Sequence, residues 1–519
     1  MRTFRNIMMV FALTAIVPMQ FFAQNAGKIR CKTTDCVLEY LKKLNSKNEQ
    51  EVAEAKNIIV GLAEEAINTG DTDSKMALRN SILPFVEKFS NNPHVDFLMS
   101  LLPQFCDSRD SGDIFQLIEN EAIADKAIRT LGEIKGSEGV IEKYIAKNHN
   151  DLKYKASLAY AVGKLDIKSL ENELISWLKD ADDNTKIEIY KALLVVKSNK
   201  KTASIIEKGA KKLYKTDIVG NQIAALQIMT ALKGEKSLPM LYKALKNANG
   251  QVRREALEQM KPFVNEKVVK NVMKKCNKGE ALVDAIYWLG EIKDHSQIPF
   301  LIKQLGSERA AVVGASIRAI FIIDDHDGIN AVKPMFGGKY QDVITESLVT
   351  YEGDYKAFMN DFFKGDDVQK LAALEVLELR PSPVMFLRVK DLLNDANKDV
   401  RNKAYKSLKL VVTQPNGKML KDLLEVCNDK YVEDVQLAIK VAMADAPTAV
   451  KDEFASTLKH VKPAVMPRYY NVFAYFGTEL CVDKLIDAYQ NGDYKVEAKD
   501  ALLLVENEEF KDKIQKALK

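Results

Sequence analysis

Apolar residues recur along this chain at the spacing of one helix face. One stripe has intervals of four, four and three positions: Val252, Ala256, Met260 and Phe263. A second stripe follows after a short turn: Val268, Val269, Val272 and Met273. Such intervals place each set on one side of an α-helix. The segment therefore predicts two amphipathic helices, neither of which can bury its apolar side alone.

The same helix pair returns along the chain. LKNANGQVRREAL begins at Leu245, and LNDANKDVRNKAY begins at Leu393, 148 residues later. LGEIKGSEGVIEKYI from Leu131 is likewise matched by LGEIKDHSQIPFLIKQL from Leu289. A unit repeated in this way predicts a stack in which neighbouring pairs cover each other's apolar stripes. We therefore predict an all-α chain, with an α-α superhelix of about a dozen helix pairs over residues 121–519.

These stretches resemble the HEAT repeat, especially its bacterial lyase-type subfamily. In that family a turn with Asp or Asn leads to Val-Arg, an Ala-rich helix, Leu-Gly-x-Ile and a second helix. The matching residues are Asn247, Val252, Arg253, Ala256, Leu289, Gly290, Ile292, Asp395, Val400, Arg401 and Ala404. The unit from Asp342 lacks Val-Arg, and the unit from Asn184 has Lys186 in place of the arginine. The resemblance implies a HEAT/armadillo-like solenoid and no particular activity.

The beginning of the chain differs from the repeats. Two arginines precede an uncharged apolar run of 17 residues, 7–23, after which polar residues return. This layout is typical of a secretory signal peptide, which we predict for residues 1–26, with cleavage after Ala23 or Ala26. The alternative is an uncleaved anchor, for which the run is at the short limit. We expect a periplasmic or secreted protein with no membrane span after signal removal, and a helical cap region over residues 27–120.

Several conspicuous residues have a structural interpretation. Asn and Asp side chains between helices are expected to accept hydrogen bonds from the next helix start. Arg253 and Arg401 are expected to lay their stems on a neighbouring repeat and bond a polar turn. Trp177 and Trp288 occupy regular helix positions and are expected in the core.

The six cysteines allow two kinds of interpretation. Cys31 and Cys36 either close a small disulfide loop in an exported protein or remain thiols. Cys276 and Cys427 each precede Asn at the same place in their repeats. About five stacked helices, each roughly 9 Å apart, would separate these two residues, which is too far for a disulfide. They are expected to be small buried residues.

Catalytic motifs are missing from the sequence. Deoxyhypusine hydroxylase, a HEAT-like enzyme, needs His-Glu pairs, and none of the five histidines here precedes Glu. Export argues against the substrates of phycobilin lyases and of HEAT-like DNA glycosylases. No phosphate-binding loop and no nucleophile elbow occurs. We predict no enzyme, no cofactor and no metal, although the turn from Asp324 to Asp327 offers a small-ligand or divalent-cation site as the alternative.

Charge and aromatic residues suggest where a partner binds. From Lys186 to Lys278, 21 Lys and Arg residues stand against 7 Asp and Glu, whereas the segment from Phe321 to Arg380 has 6 against 12. Such a gradient indicates a charged partner or a second copy. Aromatic residues crowd a short segment near Tyr475, where some are expected in the core and others on a docking surface. The predicted partner surface comprises Tyr469, Tyr470, Phe473, Lys211, Lys212, Arg254, Lys274 and Lys275.

The sequence thus predicts an exported, non-catalytic repeat scaffold. Its curved surface would bind a protein or peptide partner, with no role for nucleic acid. An accessory subunit of envelope carbohydrate processing, or a small-ligand enzyme with its site at the turn from Asp324 to Asp327, is the alternative.

Overall fold

Helix-forming sequence continues through most of the chain, and the structure, a computed structural model, follows it. It describes residues 33–149, 152–457 and 461–519, within which there are helices and no strand. The predicted signal peptide and Cys31 lie outside the described residues. The chain divides into two compact units, one ending at Lys275 and the other running from Cys276 to Lys519.

Fifteen α-helices form the described part of the first unit. They are α1 (Thr34–Lys43), α2 (Glu49–Thr69), α3 (Thr72–Lys88), α4 (Val95–Leu101), α5 (Ser111–Gln116), α6 (Ala124–Gly132), α7 (Glu138–Lys147), α8 (Lys155–Lys164), α9 (Glu171–Trp177), α10 (Asp183–Val196), α11 (Lys200–Leu213), α12 (Val219–Lys233), α13 (Leu238–Ala244), α14 (Gly250–Met260) and α15 (Glu266–Lys275).

Sixteen more form the described part of the second unit. They are α16 (Gly279–Glu291), α17 (Ile298–Gln304), α18 (Ala310–Ile323), α19 (His326–Val332), α20 (Gln341–Thr350), α21 (Tyr355–Phe362), α22 (Asp367–Leu379), α23 (Phe386–Leu392), α24 (Lys398–Ser407), α25 (Gly417–Val426), α26 (Val432–Ala442), α27 (Thr448–Ser456), α28 (Pro467–Phe476), α29 (Glu479–Asn491), α30 (Lys495–Leu503) and α31 (Lys511–Ala517). Short 3-10 turns extend or precede many of them.

From α6 onward the described helices form consecutive pairs, thirteen from α6–α7 to α30–α31. This number agrees with the predicted dozen. Within each unit the first helix of one pair packs on the first helix of the next, as α8 does on α6 and α10, and α18 does on α16 and α20. We call these first helices the first-helix layer and the others the second-helix layer. Stacking by pairs makes the fold an all-α helical solenoid.

Glycine allows neighbouring first helices to approach closely. Three such contacts repeat the same geometry: Gly132 against Ala161, Gly163 against Ala192, and Gly290 against Ala319. A methyl group on any of these glycines would lie 2.8 or 2.9 Å from the α carbon of the facing alanine. Real side chains do not tolerate that distance, so the Leu-Gly element of the repeat serves helix packing.

The polar residues of the repeat start its helices, as the sequence predicts. Asn249 accepts a hydrogen bond from the Gln251 N–H at 2.8 Å at the start of α14. Asn397 does the same for the Asp399 N–H, also at 2.8 Å, at the start of α24. These bonds satisfy backbone donors that have no partner inside the helix.

The repeated arginine closes the turn before its helix. Arg253 is buried and donates from Nη1 to the carbonyl oxygens of Asn247 and Ala248, both at 2.9 Å. Arg401 contacts the carbonyl oxygens of Asp395 and Ala396 in the same way. The predicted bond to a polar turn is therefore confirmed.

The residues predicted for the core lie there. Trp177 and Trp288 are buried, as are Cys276 and Cys427. Before the regular pairs, α4 and α5 pack directly on α6. The predicted limits of the cap region, 27–120, and of the solenoid, 121–519, remain predictions.

Candidate interaction surface

Helix α28 does not present its aromatic side chains to solvent. Tyr469, Tyr470 and Phe473 are buried, and the Tyr469 hydroxyl donates to the Lys421 carbonyl oxygen at 3.1 Å. Burial raises the pKa of the Tyr469 hydroxyl above its usual range. The helix packs on α26, α29 and α30, so little of its circumference is left for solvent. The prediction that these three residues line a partner surface was wrong: they belong to the core.

The acidic turn between α18 and α19 is explained by local structure. Asp324 has a left-handed backbone (φ 60) at the end of α18 and accepts the Tyr351 hydroxyl at 2.6 Å. Asp325 caps α19 through the N–H groups of Asp327 and Gly328 and lies 3.3 Å from His295. Burial opposes ionisation of Asp325, but these hydrogen bonds outweigh it and lower its pKa. Within the described ranges, no group of three or more His, Cys, Asp or Glu side chains is arranged to hold a metal ion.

Exposed lysines instead gather on three successive helices of the second-helix layer, α11, α13 and α15, and on the turns beside them. We call eleven of them the lysine face: Lys200, Lys201, Lys208, Lys212, Lys215, Lys236, Lys243, Lys246, Lys267, Lys270 and Lys274. None of the eleven has an ion-pair partner in the part of the chain that the structure describes. The charges of this face are therefore available to an external anion.

The lysines of this face lie on the side of the helix opposite its buried apolar stripe. In α15, Val268, Val269 and Val272 are buried, while Lys267 and Lys270 occupy the other side of the helix. The same three-to-four spacing that marks the core also marks the solvent-exposed face. Reading both stripes together on each second helix would have found these lysines from the sequence.

The basic residues predicted for the partner surface divide between the two layers. Lys212 and Lys274 are members of the lysine face. Lys211 lies beside it but pairs with Glu207 at 2.7 Å, and the Lys275 ammonium lies 5.8 Å from the centre of the Tyr242 ring. Arg254 is exposed on α14, in the first-helix layer.

Few carboxylates oppose these lysines locally. Residues 200–216, 234–247 and 266–275 contain 13 lysines and 3 glutamates, a balance of +10. One of the three, Glu207, accepts hydrogen bonds from Lys211 and Lys233, which lower its pKa to about 2. The others, Glu235 and Glu266, are exposed near the start of a helix. The face keeps a strong positive field at neutral pH.

The acidic segment of the second unit does not present a comparable negative face. Ten of the 12 acidic residues between Phe321 and Arg380 cap a helix or contact a cation or donor within the unit. Glu346, for example, lies 2.6 Å from Arg318, and Asp361 lies 2.7 Å from Lys333. The negative charge of this segment is largely neutralised inside the unit.

The described residues form thirteen helix pairs, and within each unit the first helices of neighbouring pairs pack on one another. The described part of the chain is a helical solenoid of stacked pairs, an arrangement like that of HEAT and armadillo repeats. No family model matches this sequence, and no curated protein sequence matches it. None of the helices among the described residues has the length and apolar character of a membrane span.

Solved structures share similarity with this solenoid at low sequence identity. Kap95p in a study with RanGDP matches with a TM-score of 0.43 and 10% identity, over 94% of this chain and 79% of that chain. Yeast importin-beta (Kap95p) matches with a TM-score of 0.40 and 10% identity, over 91% and 88%. UNC-45 from Drosophila melanogaster matches with a TM-score of 0.30 and 12% identity, over 91% and 88%. These similarities concern the fold alone.

Proposed function

We propose that this protein is an exported, non-catalytic repeat scaffold that binds an acidic segment of a protein partner through its lysine face. One observation carries the proposal: eleven exposed lysines lie on three successive second helices and the turns beside them, without an ion-pair partner among the described residues. Complementary charge would orient the partner and accelerate association. Export rests on the signal peptide predicted for residues 1–26.

The chemistry of the face favours an acidic protein over nucleic acid. Single-stranded nucleic-acid sites combine positive charge with aromatic side chains on which bases stack. Here Tyr214 and Tyr242 are only partly exposed, and the cations are lysines, which lack the planar fork that arginine offers to phosphate. Lysine ammonium groups suit a partner whose carboxylates are spread along a chain.

A second copy of the chain is a weaker match. Its acidic segment uses most of its carboxylates in contacts within the unit, as Glu346 and Asp361 show. Breaking such ion pairs would offset part of the binding free energy of a new interface. The negative charge for the lysine face is therefore expected from a different protein.

Charge reversal tests the proposal. In the full chain, Lys201→Glu, Lys208→Glu, Lys243→Glu and Lys270→Glu are combined. The matched control combines Lys47→Glu, Lys135→Glu, Lys143→Glu and Lys179→Glu, four exposed lysines of the same unit outside the face. Each set changes the formal net charge from +4 to −4. Binding of a fluorescent glutamate-rich peptide is measured by anisotropy at two salt concentrations, with helicity checked by circular dichroism.

We expect the face variant to bind the peptide at least about tenfold more weakly than the wild type. The control should lose much less affinity, because salt screens the interaction of the peptide with charges more than about 10 Å away. Equal loss in both variants would mean that only net charge matters, and the proposal would fail. Binding of the wild type to anionic phospholipid vesicles, but not to the peptide, would also overturn it in favour of a membrane surface.

A further inference from the structure

Helix α30 of the second unit has one side that is open to solvent. The helix packs on α28 and α29, and its residues Ala498, Ala501 and Leu502 are buried. On the opposite side, Val496 and Leu503 are 70% and 65% exposed, among the highest values for large apolar side chains in the described residues. Because they are seven residues apart, they lie on one line along the helix. The unit therefore presents two apolar side chains to solvent along a single helix face.

Charges of opposite sign lie on the two sides of this apolar line. With about 3.6 residues per turn, Lys495 and Lys499 form a basic flank, and Glu497 and Asp500 form an acidic flank. All four side chains are exposed, and none has an ion-pair partner in the described part of the chain. The Lys495 ammonium donates to the Gln490 carbonyl oxygen at 2.7 Å, which leaves its charge uncompensated.

Earlier first helices of the same unit use comparable charges internally. Arg318 of α18 lies 2.6 Å from Glu346 of α20. Lys403 of α24 lies 2.8 Å from Glu378 of α22. Ion pairs of this kind join one first helix to the next, whereas the flanks of α30 keep both signs of charge available to another molecule.

A two-fold axis parallel to α30 would bring opposite charges together. Two copies of α30 would then run side by side in the same direction, and Val496 and Leu503 would each meet its counterpart in the second copy. The basic flank of each helix would face the acidic flank of the other, with Lys495 directed at Asp500 of the second copy, as flanking charges are in parallel coiled coils. In an antiparallel pair, acidic flank would meet acidic flank and basic would meet basic, and repulsion would oppose the contact. The charge pattern therefore favours the parallel, symmetric pair.

We infer that α30 is a homodimerisation surface, on which a second copy of this chain packs its own α30 in parallel orientation. A contact of about two helical turns belongs to the small interfaces, below roughly 1,200 Å², so the dimer is weak and reversible. The lysine face belongs to the first unit and has no role in this contact. The inference therefore does not rest on the proposed function.

Charge exchange between the flanks tests the dimer in the full chain. Two flank variants each reverse one flank: Lys495→Glu with Lys499→Glu, and Glu497→Lys with Asp500→Lys. Two control variants make the same changes of charge at exposed positions elsewhere in the second unit: Lys390→Glu with Lys398→Glu, and Asp445→Lys with Glu453→Lys. Sedimentation velocity over a concentration series measures association, and circular dichroism checks the fold of each variant.

We expect the wild type and both control variants to dimerise with a dissociation constant of about 0.1 mM or lower. Each flank variant alone should associate at least about tenfold more weakly, because like charges then meet across the axis. An equimolar mixture of the two flank variants should regain association, because an acidic helix then meets a basic one. A monomeric wild type, a flank variant that dimerises like the wild type, or a mixture that stays monomeric overturns the inference.

Disulfide cross-linking tests the orientation. In the parallel pair, Val496→Cys alone should form a linked dimer on oxidation, because the two substituted positions meet. An antiparallel pair would link efficiently only when Val496→Cys is mixed with Leu503→Cys. Val426→Cys, at a position of α25 that is 80% exposed, controls for random collision. Equal linkage of Val426→Cys and Val496→Cys, or linkage found only in the mixture, overturns the parallel pair.

Discussion

Gly163 of α8 faces Ala192 of α10 so closely that a methyl group on Gly163 would lie 2.9 Å from the Ala192 α carbon. Gly163→Ala is therefore expected to push the two first helices apart. Overpacking of this kind costs about 1–3 kcal/mol of the free energy of unfolding. Urea unfolding followed by circular dichroism measures the loss.

Gly61 provides the control for this substitution. It lies inside α2, is exposed, and has nothing within 4 Å of an added methyl group. Gly61→Ala should stabilise the protein by about 0.5–1 kcal/mol, because alanine loses less backbone entropy in a helix. If Gly163→Ala behaved like Gly61→Ala, close packing would not explain the glycine of the repeat.

Arg468 joins α28 to the end of α25, and this contact gives a second prediction. Its Nη1 donates to the Leu424 and Cys427 carbonyl oxygens, both at 2.9 Å, and its Nη2 lies 2.7 Å from Asp429. Arg468→Met keeps the apolar stem and removes these charge-assisted bonds. We expect a loss of about 1.5–3 kcal/mol in the free energy of unfolding.

The matched change for Arg468 is Arg309→Met. Arg309 pairs with Glu280 at 2.8 Å, and both side chains are largely exposed. Exposed pairs contribute about 0–1 kcal/mol, so this variant should unfold near the wild-type midpoint. Similar losses from both variants would show that Arg468 acts only as a surface charge.

Much of the architecture could be predicted because packing imposes a period on the sequence. Val252 and Val268 mark helix sides, and Gly290 marks a close contact that only a small residue allows. Both signals are local, so they appear within the sequence of a single repeat. The number of helix pairs and the roles of Arg253 and Arg401 follow from them.

The interaction surfaces were harder to predict, for a physical reason. Helix α28 is apolar around most of its circumference, so its sequence indicates burial without showing which aromatic residue remains exposed. Tyr469 and Phe473 lie inside, and Tyr475 is partly exposed.

Glu255 of α14 gives a pH-dependent prediction. Burial raises the pKa of its carboxyl above the ordinary value of 4.5, although hydrogen bonds from Gln227 and Gln259 partly offset this effect. The folded state then binds the proton more tightly than the unfolded state. Stability should therefore fall as the pH rises from 4.5 through the folded-state pKa.

Glu255→Gln removes this titration and keeps an oxygen to accept both amide hydrogen bonds. The variant should gain stability relative to the wild type across that pH window and keep the gain at neutral pH. Thermal unfolding at a series of pH values tests the difference. A constant difference at all pH values would show that the Glu255 carboxyl has the same pKa in both states.

The cysteines supply the last prediction. Cys36 is disulfide-bonded, while Cys31, its proposed partner, lies outside the described residues. Cys106, Cys427 and Cys481 are free thiols. Burial raises the pKa of Cys106 to about 12 and that of Cys481 to about 11, and it also raises the pKa of Cys427.

A thiol reacts as its thiolate, so these three side chains should resist iodoacetamide at pH 8 in the folded protein. In guanidinium chloride their pKa values return toward about 8.5 and all three should be modified. Lys179→Cys, at an exposed position, serves as the positive control and should react under native conditions. Mass spectrometry of tryptic peptides assigns each modification. Rapid native labelling of Cys481 would contradict the packing around it, because its side chain is fully buried in the folded protein.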